Sequence, residues 1–351
     1  MDQRKVFVFS EDLSGPFDEG IKSAAVQVIR ALSRTASVLT ACCEADGSLD
    51  NVAVFPGLNR LLLNFKLRRL VRHFEPDAIL YVPRWGGTHA SFLRMRVLRL
   101  FSPRAKAVML ILQPKEMNRL QALSLPLLKP DQVLTPSPRV QREMSKKGIP
   151  SEFLPLPTDR GKFFPLEGAP RREELRVKYG LPRDRFIILH VGHINGMRNL
   201  EALIPLQAGD RQVVIVSSSS TSAVSYKDEG LKRLLIAAGI IIIDDYLDSI
   251  EEVYQLSDLY VFPIVRDIGC IALPLSILEA RACGLPVLTS DFGGLRSLFG
   301  RSPQGLVFAE PATFPEAVAQ FRKGETDLFG PEQIETVNRS FVQTIQAIAE
   351  R

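Results

Sequence analysis

Pro274-Leu275-Ser276-Ile277-Leu278-Glu279-Ala280-Arg281-Ala282-Cys283-Gly284-Leu285-Pro286-Val287-Leu288-Thr289-Ser290-Asp291-Phe292-Gly293-Gly294 decides how this chain reads. It has the pattern of a helix start carrying one acidic residue, a glycine stop, a short buried strand and a glycine-rich turn. A carboxylate near a helix N-terminus, beside loop amides, serves two ends. The amides and the helix dipole hold phosphate, while the carboxylate accepts hydrogen bonds from sugar or ribose hydroxyls. The pattern points to a nucleotide-sugar site.

Outward from this stretch, strands and helices alternate in both directions. Toward the N-terminus of this half, strands are expected at 186–191, 213–217, 240–243 and 259–263, with helices at 171–179, 200–206, 227–238 and 250–256. The helix at 275–282 and the strand at 287–290 follow. The first half repeats the alternation. Strands are expected at 6–10, 37–42, 78–82, 107–112 and 132–136. Its helices are expected from residue 18 through Leu32 and at 59–74, 89–101 and 138–147. Apolar residues at helical spacing and short buried runs carry these assignments. Strand–helix alternation with short connectors implies parallel, doubly wound sheets. Residues 153–170 are rich in Pro and Gly and read as a linker. Two domains are therefore expected, 1–157 and 158–330. A final helix over 331–351, striped by Ile334, Val337, Phe341, Ile345 and Ile348, is expected to pack back onto the first domain. In open sheets of this kind ligands sit beyond the carboxyl ends of the strands.

At 351 residues, 46% apolar and 24% charged, the chain has the composition of a soluble globular protein. No run of about 18 apolar residues predicts a spanning helix. The first residues read as a buried strand rather than a signal peptide. The four cysteines show no metal-ligand spacing, and adjacent Cys42 and Cys43 cannot form a normal disulfide. A reducing cytoplasm is the expected compartment. The net charge of +5 is uneven: residues 1–160 hold 24 Lys and Arg against 15 Asp and Glu. Over 60–106 there are 11 basic residues and two acids, Glu75 and Asp77. The basic helices 59–74 and 89–101 either present a solvated face or attract an anionic membrane. In the first, Leu61, Leu62, Phe65, Leu70 and Phe74 are read as facing inward, with Lys66, Arg68, Arg69 and Arg72 outward. No aromatic-interleaved basic patch suggests nucleic acid.

Several motifs in order now point one way. Val133-Leu134-Thr135-Pro136-Ser137 closes the fifth strand. Leu154-Pro155-Leu156-Pro157-Thr158-Asp159 and Phe163-Phe164-Pro165 cross between domains. His190-Val191-Gly192-His193-Ile194-Asn195-Gly196-Met197-Arg198-Asn199 follows a strand, and residues 250–263 lead toward the opening stretch. Over nearly its whole length the chain resembles the retaining glycosyltransferases of family 4. That resemblance implies a GT-B fold, in which two Rossmann-like doubly wound domains face each other across a cleft.

By the resemblance, Glu279 binds the donor's ribose hydroxyls. Arg198 stands for the family's lysine on the leaving diphosphate, and arginine offers bidentate geometry and a fixed charge there. His193 stands where the family carries arginine, on a loop that includes Gly192. The family's second glutamate, eight residues before Glu279, is here Ile271. The sugar would then be held by backbone of Ile271, Ala272 and Leu273 or by other side chains. The loop 15–22 resembles the one beneath the donor phosphates, with Gly20 admitting close backbone approach and Lys22 adding charge; alternatively it is an ordinary helix-capping turn. Gln113 replaces a histidine that faces the transferred sugar, and cannot act as acid or base. Thr88 and His89 either line the acceptor site or cap their helix. Ser218, within a run of hydroxyl residues, either binds base or phosphate or belongs to a flexible polar loop, and Asp245 follows the strand where the family reads the nucleobase. His190 lies in a buried strand and reads as structural. Asp244 and Asp245 are not on a metal-coordination spacing, and neither metal nor cofactor is expected.

The implied reaction moves a sugar from a UDP- or GDP-sugar to an acceptor hydroxyl, with retention of configuration. The implied acceptor is a glycolipid or a cell-surface polysaccharide precursor. Two rivals differ in kind: a nucleotide-sugar-binding protein with a degraded site, suggested by Ile271 and Gln113, and a sugar-nucleotide epimerase.

Overall fold

The computed structural model describes residues 3–17, 19–58, 61–113, 115, 117–166, 168–218, 228–266, 270–300, 304–322 and 332–350. The chain divides into two compact units. One comprises Met1–Pro157, Ile271–Leu273 and Thr336–Arg351; the other comprises Thr158–Cys270 and Pro274–Glu335.

The first unit runs β1 (Lys5–Phe9), β2 (Asp12–Leu13), α1 (Gly20–Ser33), β3 (Ser37–Cys42), β4 (Glu44–Ala45) and β5 (Val52–Val54). It continues with α2 (Phe65–Phe74), β6 (Ala78–Tyr81), α3 (His89–Phe101), β7 (Lys106–Leu110), α4 (Arg119–Leu128), β8 (Gln132–Thr135), α5 (Pro138–Lys146) and β9 (Ser151–Phe153). Seven parallel strands form one sheet in the order β5-β3-β1-β6-β7-β8-β9. Val6–Phe9, Ala78–Tyr81 and Ala107–Leu110 are fully buried. A central parallel strand is covered on both faces, so it shows an unbroken apolar run rather than alternation. The connection order reverses between β1 and β6.

The second unit runs α6 (Ala169–Lys178), β10 (Phe186–Val191), a 3-10 segment (Leu200–Leu206), β11 (Arg211–Val216), α7 (Glu229–Ala237), β12 (Ile241–Ile243), α8 (Ile250–Leu256) and β13 (Leu259–Phe262). Then come α9 (Leu275–Ala282), β14 (Val287–Thr289), α10 (Leu295–Phe299), β15 (Leu306–Phe308) and α11 (Phe314–Arg322). The last helix, α12 (Glu332–Glu350), closes the chain. The six strands are parallel in the order β12-β11-β10-β13-β14-β15. The reversal here lies between β10 and β13, and ligands of such sheets bind beyond the strand ends at that point.

Three features differ from the sequence reading. The helix expected from residue 59 begins at Phe65. Leu62 adopts a positive φ, and the Asn64 side chain caps the amides of Lys66 and Leu67 at 2.9 and 3.0 Å; residues 59 and 60 lie outside the described residues. Leu62 is buried and Leu70 and Phe74 pack against the core as expected, joined by buried Leu67 and Val71, whereas Leu61 is 43% and Phe65 86% exposed. Helix α4 was not expected at all, although a capping box formed by Asn118 and Gln121 starts it. All four cysteines are free thiols, and burial pushes Cys42 up to about 12.

Candidate functional site

In the second unit, β10 ends at Val191 and the next backbone amide, Gly192, extends the ladder to Val216 O at 2.9 Å. The turn that follows is pinned at three places. Asn195 accepts from the Met197 amide at 3.1 Å, its carbonyl accepts from the Arg198 amide at 3.1 Å, and the Asn199 side chain donates to Pro263 O at 3.0 Å. The loop is thereby fixed to the ends of both strands at the reversal point. It folds the Arg198 guanidinium back over Gly192. A Cβ at position 192 would lie 2.1 Å from Arg198 Nη1, so only glycine permits this placement.

Arg198 has no carboxylate partner among the described residues, and its Nε is buried without a hydrogen-bond acceptor. A half-buried cation left unpaired is costly; an anionic ligand would offset that cost.

His190, fully buried beneath the loop, donates from Nδ1 to Val261 O at 2.9 Å. Its Nε2 is buried without a partner and lies 3.4 Å from the place a Gly192 Cβ would take. Burial, then the Arg198 charge, push His190 down to about 3, against the bond to Val261. It is therefore neutral at pH 7.

His193 donates from Nδ1 to Ser218 O at 3.0 Å, the carbonyl being an acceptor only. With that proton committed, Nε2 can donate to a phosphate only when the ring is doubly protonated. Ser218 thus contributes its backbone to His193. The remainder of the hydroxyl run, 219–221, lies outside the described residues, as do residues 267–269 of the loop before Cys270. Asp245 is exposed, and its carboxylate accepts from the following amide, Tyr246, at 2.8 Å.

Glu279 is buried in α9, where the Tyr254 hydroxyl donates to its Oε2 at 2.9 Å. Burial and the adjacent carboxylate raise the Tyr254 hydroxyl well above its ordinary value, so it stays a donor. Burial raises the Tyr260 hydroxyl above its ordinary value, with the Arg198 charge opposing the rise and the Glu279 charge adding to it. The start of α9 has no side-chain cap. One neighbourhood therefore holds a cation, a buried carboxylate and uncapped helix amides.

In the first unit the residues after β1 and β6 form an ion network. Asp12 and Lys22, both buried, pair at 2.9 Å, and Arg84 reaches the same carboxylate oxygen at 2.8 Å. Burial alone would raise Asp12, but bonds from Ser14 and Lys22 outweigh it and hold the carboxyl below its ordinary value. The Lys22 charge is thus met by Asp12 and the Ser14 carbonyl. Glu11 accepts from the Arg84 amide at 2.9 Å, from Arg94 at 2.8 Å and from the Tyr81 hydroxyl. Gly20 opens α1, which has no side-chain cap. Ile271, buried and grouped with this unit, stands 3.5 Å from where a Gly20 Cβ would lie. Ala272 is half-buried and Leu273 buried.

Thr88 caps α3, accepting from the Ser91 amide at 3.2 Å. His89 Nε2 meets Ser124 Oγ of α4 at 2.9 Å. The Gln113 carbonyl accepts from Gly87 at 3.3 Å and stands 2.6 Å from where a Gly86 Cβ would lie, which excludes a side chain at 86. Reasoning from sequence missed Tyr254 and the Asp12 and Glu11 networks. Tyr254 carries only the signal of an aromatic on a buried helix face, and the ion partners meet only through the fold.

Residues 171–328 match the family model of the glycosyl transferases group 1. The matched segment contains Gly192, His193, Arg198, Ser218, Asp245, Ile271, Ala272, Leu273 and Glu279. TuaC of Bacillus subtilis (strain 168), named for glycosyl transfer in teichuronic acid biosynthesis, is 29% identical over 222 residues, covering 61% of this chain and 51% of TuaC. A D-inositol 3-phosphate glycosyltransferase of Actinosynnema mirum is 30% identical over 46% of this chain and 40% of its own. The chain thus spans about half the length of the curated relatives it matches. Among solved structures, HepE of Anabaena in complex with UDP-glucose superposes with a TM-score of 0.72 at 17% identity, over 98% of each chain. Sucrose-phosphate synthase of Thermosynechococcus elongatus gives 0.66 at 16% identity, over 98% of this chain and 95% of its own. These likenesses establish the GT-B fold, two Rossmann-like parallel-sheet domains.

Proposed function

We propose that this chain is a retaining glycosyltransferase of family 4, moving a sugar from a UDP- or GDP-sugar to an acceptor hydroxyl. The observation that carries the reading is Arg198: a half-buried cation without a carboxylate among the described residues, folded over Gly192 at the reversal point of a group 1 domain. A nucleoside diphosphate supplies the anion this arrangement lacks. Support comes also from HepE, a protein of this fold solved with UDP-glucose, and from relatives named as glycosyltransferases.

In this reading residues 158–330 bind the donor and residues 1–157 the acceptor. Arg198, His193 and the first amides of α9 stabilise the departing diphosphate, a charge that grows in the transition state. Glu279, aimed by Tyr254, holds ribose hydroxyls. Ser218 and Asp245 flank the base. Gln113, Thr88 and His89 border the acceptor, sharing polar atoms already committed to α3 and α4. No metal is assigned a role; among the described residues no cluster of three His, Cys, Asp or Glu is placed to hold one. The acceptor is a glycolipid or polysaccharide precursor at the cytoplasmic face of a membrane. No helix among the described residues is long and apolar enough to cross one.

Mixing the protein with donor and a lipid-linked acceptor fraction tests this. The expected result is release of nucleoside diphosphate with sugar appearing on the acceptor. Donor binding with no release would instead make the chain a binding protein. Conversion to an epimeric nucleotide sugar would make it an epimerase.

A further inference from the structure

We propose that α4 is the membrane-docking edge of the first unit, entering an anionic bilayer through Leu120, Leu123 and Leu127. These leucines are 79%, 75% and 81% exposed. At 3.6 residues per turn they fall within an arc of about 60° on one helix face. The rest of the helix is fixed in place. Leu125 is fully buried, Leu128 packs against the core, and Ser124 meets His89 of α3 at 2.9 Å. The stripe is therefore held outward by packing and not by chance of rotamer.

Charge selects the occupant. Lys115, Arg119 and Lys129 are exposed around the stripe, and α3, which packs on α4, exposes Arg96 and Leu100. On α2, packed in turn on α3, Lys66, Arg69 and Arg72 are exposed beside Phe65. Part of the basic character of α3 is neutralised, since Arg94 pairs with Glu11 and Arg99 with Asp131, so α2 and the α4 flanks carry most of the attraction. Apolar side chains rimmed by cations suit a headgroup layer, where leucines enter the acyl boundary and lysine and arginine remain at the phosphates. This deepens the reading of α2 and α3 as an anionic-surface contact by adding the apolar anchor. It is independent of the donor-site assignment and would leave that assignment intact if it failed.

The test is flotation of the full chain with phosphatidylcholine vesicles, with and without phosphatidylglycerol, and sedimentation velocity without vesicles. The wild type is expected to float only with the anionic vesicles, and less at high salt. Leu120→Gln/Leu123→Gln/Leu127→Gln is expected to weaken binding about tenfold or more, a change of about 1.4 kcal/mol. Its melting temperature should stay near that of the wild type, because none of the three side chains packs in the core. Failure of the wild type to float overturns the proposal, as does undiminished flotation of the triple variant. A wild-type dimer that the triple variant dissociates, with neither binding vesicles, would assign the stripe to a second copy of the chain and equally overturn it.

Discussion

Replacing Arg198 with alanine is expected to lower turnover about 10²–10³-fold, the usual effect of removing one preorganised donor from a developing anion. Donor affinity should fall by less than that, because the charge on the leaving diphosphate grows between ground and transition states. Arg198→Lys should recover part of the rate, keeping the charge while losing the planar fork. The variant has an internal control. Arg198 has no carboxylate partner among the described residues, so its removal orphans no group and the fold should be at least as stable. A loss of stability would mean the side chain is held for structure. Turnover within about threefold of the wild type would remove Arg198 from the chemistry. His190 beneath it, pushed down to about 3, is neutral in any ordinary assay and should contribute no inflection near neutral pH.

Glu279→Ala is expected to raise the donor dissociation constant roughly 10–100-fold, from hydrogen bonds to a charged group of about 1.5–3 kcal/mol. It also leaves the buried Tyr254 hydroxyl without its acceptor, a stability cost of about 1–3 kcal/mol. The two effects separate with Tyr254→Phe. That variant loses the same bond while keeping the carboxylate, so donor affinity should fall by clearly less than in Glu279→Ala. Full donor affinity in Glu279→Ala, measured by calorimetric titration, would end the ribose assignment.

Much of this fold was legible in the chain. Phe186–Val191 and Leu259–Phe262 form buried parallel strands, and such strands advertise themselves as apolar runs. Glycine and proline mark the joints between elements. What failed was local and had physical causes. Helix α4 was invisible because its outer face is apolar and Pro126 interrupts it, so it lacks the polar–apolar contrast by which helices are recognised. Phe65 was placed inward by its residue type, yet the helix starts at that residue and turns it outward. In the site, the closeness of Gly192 and Arg198 could be read from a loop that carries glycine and separates them by six positions. The pairing of Lys22 with Asp12 could not, since the turn after β2 brings them together. Nor could the Tyr254 bond to Glu279, which joins α8 to α9 across 25 residues.

Residues 171–328 are proposed to hold a nucleoside-diphosphate sugar. Thermal unfolding of the wild-type chain with UDP-, GDP- and ADP-sugars tests it most directly. A ligand at 100 times its dissociation constant adds about 2.7 kcal/mol to the native state, so one donor should raise the melting temperature by several degrees, with the other two well behind it. Unchanged melting with all three at saturating concentrations would rule out donor binding by this chain.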